Sequence, residues 1–486
     1  MNQLVRNAHD VRITSALLTD LYELTMIQGY HHFDLNPRVV FDMFFRRQPF
    51  DGGFSVFAGL EDLLRTLEDL RFTDSDLEYL DSLGQFRPDF LEFLKDFRFQ
   101  GDVYAIPEGT LVFPQEPLVR IHGTLIEAQI IESLLLNIVN FQCLVATKTA
   151  RVVHASDYGK VLEFGLRRAQ GVNGALAASR AAYIGGAGAT SNTLAGKIYG
   201  IPVSGTMAHS WVMAFENEAD SFARYAELYP ESTILLIDTF DTLGSGLQNA
   251  ITVGKRLKEQ GQTIGVRLDS GDIQYLSERV REALDGAGLE DAKIAVSNEL
   301  NEEIIHQLVV DGAPIDLWGV GTHLVTGGSH SSFSGVYKLA AKKEAGGFVP
   351  RVKLSDNPSK STNPGIKQVY RFYDQNDSPM ADLIAFDDET VDPEATHTFH
   401  HPFVDFRKFR LKAPGRVEPL LRRVMHQGKI EGTLPTLKEI QEYTTKNLRG
   451  LDTTYRRIIN PHIYRVSITD RVKETKARML QEYIGA

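Results

Sequence analysis

The first candidate for chemistry is His209, the histidine of the stretch SGTMAHSW (204–211), which follows the apolar run YGIPV (199–203). A histidine in a setting of glycine, serine and threonine can cap a helix as a structural residue. It can also act as a nucleophile or a proton carrier, because the imidazole is partly neutral near pH 7. The stretch alone leaves both interpretations open.

A second candidate is the stretch RLDSGD (267–272), which predicts a strand end that turns into a helix over 273–284. Ser270 or Asp272 would cap this helix, and the free N–H groups of its first turn, reinforced by Arg267, would bind an anion. The alternative is a well-capped helix beside a surface arginine.

Carboxylates follow another apolar run in ILLIDTFDT (234–242), where Asp238 stands at the predicted strand end and Asp241 lies further along. Carboxylates in this position hold metal–phosphate complexes or bind ribose hydroxyls. Flavodoxin-like phosphoribosyltransferases end a similar run in two adjacent acids and a Thr-Gly loop. Here the pattern is Asp-Thr, with the loop glycine at Gly244, so the match is partial.

Two further stretches suit an anionic ligand. In EFGLRRAQG (163–171) Phe164 stands near Arg167, and a ring with a guanidinium suits a planar anion. In GVGTHLVTGG (319–328) the glycines would let backbone N–H groups cradle a phosphate. The alternatives are a core phenylalanine beside a surface salt bridge, and ordinary turn glycines.

These stretches all end apolar runs that recur at intervals of roughly 25 to 40 residues between 160 and 325, which is the length of a β-strand plus a crossover helix. The alternation predicts a parallel sheet. Polar groups at many successive strand ends, without a glycine-rich dinucleotide fingerprint, favour an irregular α/β barrel over a doubly wound sheet.

Three segments are predicted along the chain. Residues 1–150 form an α+β domain with a helix starting near Thr19 or Asp20, short strands within 102–123 and a buried helix from Leu125 to Val145. Residues 151–340 form the barrel core. Residues 341–486 form a C-terminal segment with a basic, proline-containing stretch at 353–371 and a charged helical tail from Leu437 to Tyr483.

The 486 residues carry a formal net charge of -11, which argues against non-specific binding to nucleic acid or an anionic membrane. Cys143 is the single cysteine, so no disulfide framework forms within one chain. The sequence contains no Walker A, HExxH, EF-hand or G-x-S-x-G string, and the first residues lack the apolar core of a signal peptide. A cytoplasmic protein is expected.

Seven ordered motifs closely resemble the nicotinate phosphoribosyltransferase family: TDLYELTM, EFGLRRAQG, SGTMAHSW, IDTFDT, VRLDSGD, GVGTHLVT and KLSDNPSK…PGIKQVYR. The resemblance spans about Leu17 to Arg371. It implies a type II phosphoribosyltransferase fold, an irregular α/β barrel with an additional α+β domain built from N-terminal and C-terminal segments. It also implies a homodimer with shared active sites.

The implied reaction joins nicotinate to 5-phosphoribosyl 1-diphosphate, giving nicotinate mononucleotide and pyrophosphate in NAD salvage. ATP is a co-substrate, hydrolysed through a phosphohistidine, and Mg²⁺ is carried mainly by the phosphates. The resemblance makes His209 that histidine, with Arg267 and Asp238 as further catalytic residues. Glu163 and Asp238 are both candidates to orient the imidazole of His209.

The resemblance also implies a set of substrate-binding residues. Tyr22 would stack on the pyridine from the neighbouring subunit, with Phe164 on its other face and Thr206 beside nicotinate. Arg267 would lie between the nicotinate carboxylate and the phosphates, with Arg167 as a second anion ligand, Asp269 and Asp238 as ribose-side and magnesium-side carboxylates, and Thr322 at the 5′-phosphate.

One departure from the family pattern is Ala189, which stands where a glycine is expected before Thr-Ser-Asn. It puts a backbone contact in doubt only if the position needs a positive φ. The alternatives are a nicotinamide or quinolinate phosphoribosyltransferase, or a catalytically silent binding protein of the NAD pathway. Against nicotinamide, the segment 171–186 offers Ser179 and Arg180 but no acid to accept an amide N–H.

Overall fold

The computed structural model describes residues 15–353, 361–404, 406–411 and 414–484. The chain divides into two compact units. One is formed by Met1–Thr147 together with Ser332–Ala486, and the other by Lys148–Ser331. We refer to them as the terminal unit and the central unit. The three-part division at residues 150 and 340 stays a prediction.

The N-terminal part of the chain contains α1 (Leu21–His32), β1 (Arg38–Phe45), β2 (Ser55–Val56), α2 (Leu60–Asp69), α3 (Asp74–Ser82), α4 (Pro88–Lys95), β3 (Asp102–Ala105), β4 (Leu111–Val112), β5 (Val119–Thr124), α5 (Leu125–Ile130) and α6 (Glu132–Ala155). The central unit continues with β6 (Lys160–Glu163), α7 (Gly171–Ile184), β7 (Ala189–Thr190), α8 (Thr193–Tyr199), α9 (His209–Met213), α10 (Glu218–Leu228), β8 (Ile234–Leu236), α11 (Leu247–Glu259), β9 (Gly265–Leu268), α12 (Ile273–Gly286), β10 (Lys293–Val296), α13 (Glu302–Val310), β11 (Leu317–Val320) and α14 (Thr322–Thr326). The C-terminal part contains β12 (Gly335–Glu344), β13 (Gly347–Pro350), β14 (Lys367–Tyr373), β15 (Pro379–Phe386), β16 (His397–His400), β17 (Lys408–Leu411), β18 (Arg416–Pro419), β19 (Arg422–His426), β20 (Lys429–Ile430), α15 (Leu437–Gly450), α16 (Thr453–Arg456), β21 (Arg465–Ile468) and α17 (Asp470–Ile484).

The central unit is built on a six-stranded sheet in the order β7-β6-β11-β10-β9-β8, in which all neighbours run parallel. This confirms the predicted parallel α/β arrangement. A single parallel bridge between Thr190 and Val203 extends the β7 edge. Among the described residues no pairing connects β8 back to that edge, so closure into a barrel is not confirmed.

Local sequence explains the helices that cross between these strands. The predicted amphipathic segment at 246–261 forms α11, with Leu247, Ala250 and Leu257 buried. The helix predicted at 273–284 is α12, and Asp272 is its N-cap, accepting a bond from the Tyr275 N–H at 3.1 Å. Each helix buries one face and returns the chain to the start of the next parallel strand.

The terminal unit combines both ends of the chain, as the predicted α+β domain requires. Its seven-stranded sheet has the order β13-β12-β1-β5-β3-β19-β20, and β1 pairs antiparallel with both β5 and β12. A six-stranded sheet, β17-β16-β21-β15-β14-β18, is built from C-terminal strands, and β2 pairs with β4. The C-terminal strands β12 to β21 lie outside what the sequence patterns predicted.

Three sequence predictions for this unit can be compared with its elements. The first helix begins at Leu21 after Asp20, as expected, although residues 1–14 lie outside the described residues. The predicted helix at 125–145 is two helices, α5 and α6. The predicted helical tail is wrong as a continuous element, because Arg465–Ile468 pairs with β15 as strand β21.

Buried ion pairs lie in the terminal unit. Arg371 on β14 contacts Asp382 on β15 at 2.6 Å, and both side chains are almost fully buried. Lys367 contacts Asp42 on β1 at 2.7 Å. Burial, then the charge of Asp382, raises the pKa of the neighbouring Glu116. Charges placed this deep are tolerated because each has an opposite partner.

Among the described residues, no helix combines the length and the apolar character that crossing a membrane requires.

Candidate active site

The polar candidates of the central unit lie at one edge of its sheet. Asp238 follows β8, Asp269 follows β9, and Ser297 follows β10. Parallel strands present their carboxyl ends on the same side, so residues distant in sequence become neighbours there. This edge brings together most of the predicted site residues.

Arg267 is the most firmly held side chain of the site. Its Nε donates to Ser297 Oγ at 2.8 Å, and Nη1 donates to Thr206 Oγ1 at 2.8 Å. Nη2 donates to Asp269 Oδ1 at 2.8 Å, and the side chain is 12% exposed. A guanidinium held on three sides presents a fixed cation to a ligand at the strand ends.

Asp269 joins this arrangement from the residue after β9. Burial works to raise its pKa, but a hydrogen bond from Ser297 and the charge of Arg267 outweigh burial and lower it. The Ser297 hydroxyl donates to Oδ1 of Asp269 while it accepts from Arg267. Asp269 is therefore a carboxylate at neutral pH.

Asp238 uses one oxygen internally and leaves the other available. Its Oδ2 accepts from the Asp269 N–H at 2.9 Å and from Ser270 Oγ at 2.6 Å. Its Oδ1 is buried and has no hydrogen-bond partner among the described residues. A buried acceptor without a partner is costly, and a ribose hydroxyl or a hydrated cation would satisfy it.

His209 is the first residue of α9, and its side chain is 40% exposed. Its Nδ1 lies 3.1 Å from Thr239 Oγ1, and its Nε2 lies 3.8 Å from Asp269 Oδ2. The expectation that Glu163 or Asp238 orients this imidazole is therefore wrong. Thr239 holds one ring nitrogen, which leaves Nε2 directed toward the carboxylate and the open side of the site.

Glu163, at the end of β6, has a different role. Its buried carboxylate accepts from Ser179 Oγ at 3.0 Å, from Thr190 Oγ1 at 2.5 Å, and from the Gly165 N–H. It therefore fixes the turn that carries Phe164. The neighbouring Ala189 is buried in β7 and is not among the residues with positive φ, so the backbone there does not require glycine.

Phe164 is half-buried and lies against β11, where its N–H donates to the Val320 carbonyl at 2.9 Å. A Cβ on Gly319 would lie 2.7 Å from the Phe164 ring, so glycine is needed for this close approach. Arg167 lies on the short helical turn that follows, Leu166–Arg168, and is exposed. The ring is fixed, while the guanidinium projects toward solvent.

Thr322 begins α14 after β11, and its contact with the 5′-phosphate stays a prediction. Its Oγ1 lies 3.4 Å from Glu299 Oε1, and the same carboxylate lies 3.4 Å from His323 Nε2. Gly327 and Gly328 have φ of 74° and 59°, the left-handed region that favours glycine. These glycines therefore form a true turn, whichever ligand the turn accepts.

Tyr22 belongs to the terminal unit, on α1, and its side chain is half-exposed. Burial raises the pKa of the adjacent Glu23 to about 7, and Glu23 Oε2 accepts from Gln129 Nε2 at 2.7 Å. Burial, then a hydrogen bond with Glu23, raises the pKa of Tyr22 as well. Its stacking role stays a prediction.

Sequence reasoning missed three residues of the site: Ser297, Thr239 and Glu299. Thr239 directly follows Asp238, and Ser297 directly follows the apolar residues IAV of β10. Position at a strand end was the available signal in both cases. The contacts themselves join residues about 30 positions apart, which no local pattern reveals.

No group of three or more His, Cys, Asp or Glu side chains converges on a metal position within the part of the chain that the structure describes. The free Asp238 Oδ1 suits an ion whose remaining ligands are phosphate and water oxygens. The motif KLSDNPSK falls mostly on residues 354–360, which lie outside the described residues.

Comparison with known proteins agrees with this arrangement. The family described as nicotinate phosphoribosyltransferase matches residues 160–378, its N-terminal domain matches 17–140, and its C-terminal domain matches 366–476. A nicotinate phosphoribosyltransferase of Bacillus subtilis is 42% identical over 477 residues, covering 96% of this chain and 97% of the relative.

Solved structures show the same fold. The crystal structure of human nicotinic acid phosphoribosyltransferase is 31% identical, with a TM-score of 0.84, and the match covers 95% of this chain and 99% of that one. A nicotinate-nucleotide pyrophosphorylase from Pyrococcus furiosus, 23% identical with a TM-score of 0.70, covers 93% of this chain and 99% of its own and shares the fold.

Proposed function

The chain belongs to the nicotinate phosphoribosyltransferase family, and we propose that it transfers the phosphoribosyl group of 5-phosphoribosyl 1-diphosphate to nicotinate. The products are nicotinate mononucleotide and pyrophosphate, on the salvage route to NAD. The observation that carries the proposal is the fixed Arg267 guanidinium, held by Thr206, Ser297 and Asp269 beside the open oxygen of Asp238.

Binding follows from these groups. Arg267 attracts the nicotinate carboxylate and the phosphates, and Thr206 lies beside it as a neutral hydroxyl. Phe164 offers a ring face to the pyridine. A site that holds both reactants in position converts a bimolecular reaction into an effectively unimolecular one, and this accounts for a large share of the rate enhancement of a transferase.

In the transfer step the pyridine nitrogen donates its electron pair to the anomeric carbon as the bond to pyrophosphate breaks. The transition state has oxocarbenium character, and negative charge grows on the departing oxygen. Arg267 and Arg167 stabilise that charge, while Asp238 binds the ribose or the hydrated ion. Mg²⁺, when bound with the phosphates, neutralises charge on the pyrophosphate.

We assign the coupling to ATP to His209. Nε2 of the neutral imidazole would attack the terminal phosphorus of ATP, the bond to the bridging oxygen would break, and ADP would leave. Water would later hydrolyse the phosphohistidine to inorganic phosphate. The Thr239 contact at Nδ1 supports this role, because it fixes which nitrogen faces the site.

The test of the reaction is a product assay with 5-phosphoribosyl 1-diphosphate and either nicotinate or nicotinamide, with and without ATP. We expect product from nicotinate and much less from nicotinamide, since the Asp269 carboxylate is already paired with Arg267. Equal rates with both bases would support a nicotinamide enzyme instead. No product with either would support a silent binding protein.

The test of the histidine uses ATP labelled in the γ-phosphate. The wild-type chain should acquire an acid-labile, base-stable label that His209→Ala loses. His306→Ala is the matched control, because His306 is exposed on α13 and belongs to no contact of the site. Label that persists in His209→Ala would contradict the assignment.

We further propose a homodimer in which Tyr22 completes the site of the neighbouring subunit. The exposed apolar residues before, on and after α1, which are Leu18, Leu21 and Phe33, support an interface there. Mixing Tyr22→Ala chains with Arg267→Ala chains, each of low activity alone, should restore activity, because one site of each mixed dimer then keeps both residues. A mixture that stays inactive while subunits exchange would contradict shared sites.

A further inference from the structure

The short helix α9, which begins with His209, cannot fix its own position. It has five residues, and its N-cap Ala208 provides no side-chain hydrogen bond. Helices this short are not stable in water without tertiary contacts. Contacts from outside α9 must therefore set where the imidazole of His209 lies.

The segment just before α9 is held by the arginine of the site. Arg267 Nη1 donates to Thr206 Oγ1 at 2.8 Å and to the Met207 carbonyl at 3.2 Å. The Met207 side chain is also buried. These contacts fix the residue assigned to nicotinate, but they end before α9 begins.

Trp211 connects α9 itself to the neighbouring helix α10. Its Nε1 donates to the Ser221 carbonyl at 3.1 Å. The Trp211 ring lies 4.9 Å from the Phe215 ring and 5.8 Å from the Tyr225 ring, which are distances of favourable aromatic pairs. Val212 is buried as well, but its apolar packing has no directional bond. Trp211 therefore supplies a directional contact that can fix the rotation of α9.

Helix α10 is a firm support for this contact. Ser221 and Phe222 are fully buried. Glu218 Oε2 accepts from Asn249 Nδ2 at 3.0 Å, which joins α10 to the crossover helix α11. Through Trp211, α9 is thus tied to the packed body of the central unit.

The contacts of His209 leave little tolerance for movement of α9. Nδ1 lies 3.1 Å from Thr239 Oγ1, and Nε2 lies 3.8 Å from Asp269 Oδ2. A shift of about 0.5 Å would take the Thr239 contact beyond hydrogen-bonding distance. Reacting groups need placement to within about 0.5 Å, so the same shift would misplace Nε2 for attack on phosphorus.

We propose, on the basis of the phosphohistidine proposed above, that Trp211 is a positioning residue for His209. It serves the coupling to ATP and is separate from the phosphoribosyl transfer. The separation follows from the contacts of Arg267, which Ser297 and Asp269 hold from other strand ends. Loosening α9 leaves these contacts in place, so one substitution should uncouple the two activities.

The test compares Trp211→Leu, which removes the aromatic ring and the N–H donor, with Trp211→Phe, which removes the donor and keeps a ring. Two rates are measured on each full chain: labelling of the histidine by ATP labelled in the γ-phosphate, and formation of nicotinate mononucleotide without ATP. Trp211→Leu should slow labelling about tenfold or more, because the aromatic contacts and the hydrogen bond are both lost. Trp211→Phe should slow it about threefold, the effect of one neutral hydrogen bond.

Both variants should form nicotinate mononucleotide without ATP within about twofold of the wild-type rate, because distant sites act independently. The loss in labelling should appear at saturating ATP, with little change in the ATP concentration that gives half of the maximal rate. This split is expected because Trp211 places the attacking nitrogen and binds no part of ATP. A residue that only supported the fold would lower both activities together.

The matched control is Tyr229→Leu. Tyr229 follows α10, is half-exposed, and pairs with Tyr225 at 5.0 Å from the side away from α9 in the sequence. This variant should label as the wild type does, which would assign the effect to the Trp211 contact rather than to the aromatic cluster.

Wild-type labelling in Trp211→Leu would overturn the proposal. So would an equal fall in labelling and in transfer without ATP, or the same loss of labelling in Tyr229→Leu. Absence of label in the wild-type chain would overturn the phosphohistidine and this inference together. Label in the wild type that Trp211→Leu retains would overturn this inference alone.

Discussion

Ser297 is the residue whose removal tests the site geometry most directly. It is 4% exposed, and its hydroxyl accepts from Arg267 Nε at 2.8 Å while it donates to Asp269. Ser297→Ala removes both bonds with almost no change in volume. A hydrogen bond to a charged group is worth about 1.5 to 3 kcal/mol, and a loss of 1.36 kcal/mol in transition-state binding is about tenfold in rate.

Because Thr206 and Asp269 still hold the guanidinium, we expect the lower end of that range for Ser297→Ala, about a tenfold fall in kcat/KM for nicotinate. The variant should also titrate differently. The Ser297 hydrogen bond helps to lower the pKa of Asp269, so its loss raises that pKa. The acid limb of the kcat/KM profile should therefore shift to higher pH.

The same sign applies to stability. A carboxyl with a lowered folded-state pKa contributes stability above its unfolded pKa and loses it as pH falls through the folded value. In Ser297→Ala the folded-state pKa of Asp269 lies closer to the unfolded value, so this contribution should be smaller and its loss should be complete at a higher pH. Ser297→Thr keeps the hydroxyl and should recover most of the activity. Ser277→Ala, which removes a buried hydroxyl on α12, is the matched control.

The reasoning is refuted if Ser297→Ala keeps wild-type kcat/KM and an unshifted acid limb. It is also refuted if Ser277→Ala reproduces both changes, since the effect would then come from general loosening of the fold. A fall in kcat/KM with an unshifted acid limb would show that only one of the two Ser297 hydrogen bonds matters for activity. The bond to Arg267 would then explain the fall, and the bond to Asp269 would not contribute to it.

Three further outcomes follow from buried groups of the terminal unit. Arg371→Met should lower the free energy of unfolding in urea by about 3 to 5 kcal/mol, because it leaves the buried Asp382 carboxylate without its cation, whereas Arg416→Met at an exposed pair should cost under about 1 kcal/mol. Burial raises the pKa of Cys143 to about 12, so a thiol reagent should label it only after unfolding. Burial raises the pKa of Glu23 to about 7. The stability that the protonated carboxyl contributes is therefore fully present below the ordinary pKa of a glutamate and is lost as pH rises through 7. The urea midpoint of Glu23→Gln should accordingly decline less than that of the wild type between about pH 5 and 8.

The sequence predicted the site best where the direction of the strands decides which residues come together. Successive apolar runs ending in polar residues predicted a parallel sheet with a site at its carboxyl edge, and Arg267, Asp269, Asp238 and His209 do lie there. This succeeded because strand direction alone decides which ends of parallel strands meet. The family resemblance supplied the reaction, which the spacing of strands does not contain.

The C-terminal sheets were missed for a physical reason. Their strands pair with partners far away in the chain, as β12 does with β1 and β19 does with β3. Several are half-exposed, carry charged residues and are only four residues long, such as β17 and β18, so they contain no continuous apolar run, and any alternation is too short to mark a strand. Long-range pairing gives these segments a strand conformation that their local sequence does not specify.

The orientation of His209 shows the same limit within the site. Glu163 and Asp238 were reasonable partners, since carboxylates commonly orient imidazoles, yet each is already engaged, Glu163 by Ser179 and Thr190, and Asp238 by Ser270. A neutral hydroxyl at Nδ1 has a chemical consequence that a carboxylate would not have. It fixes the ring without adding a negative charge at Nδ1. Among the described residues, Asp269 is the carboxylate that pairs with the imidazole, 3.8 Å from Nε2, where it would stabilise positive charge if the nitrogen accepts a phosphoryl group in the proposed coupling to ATP.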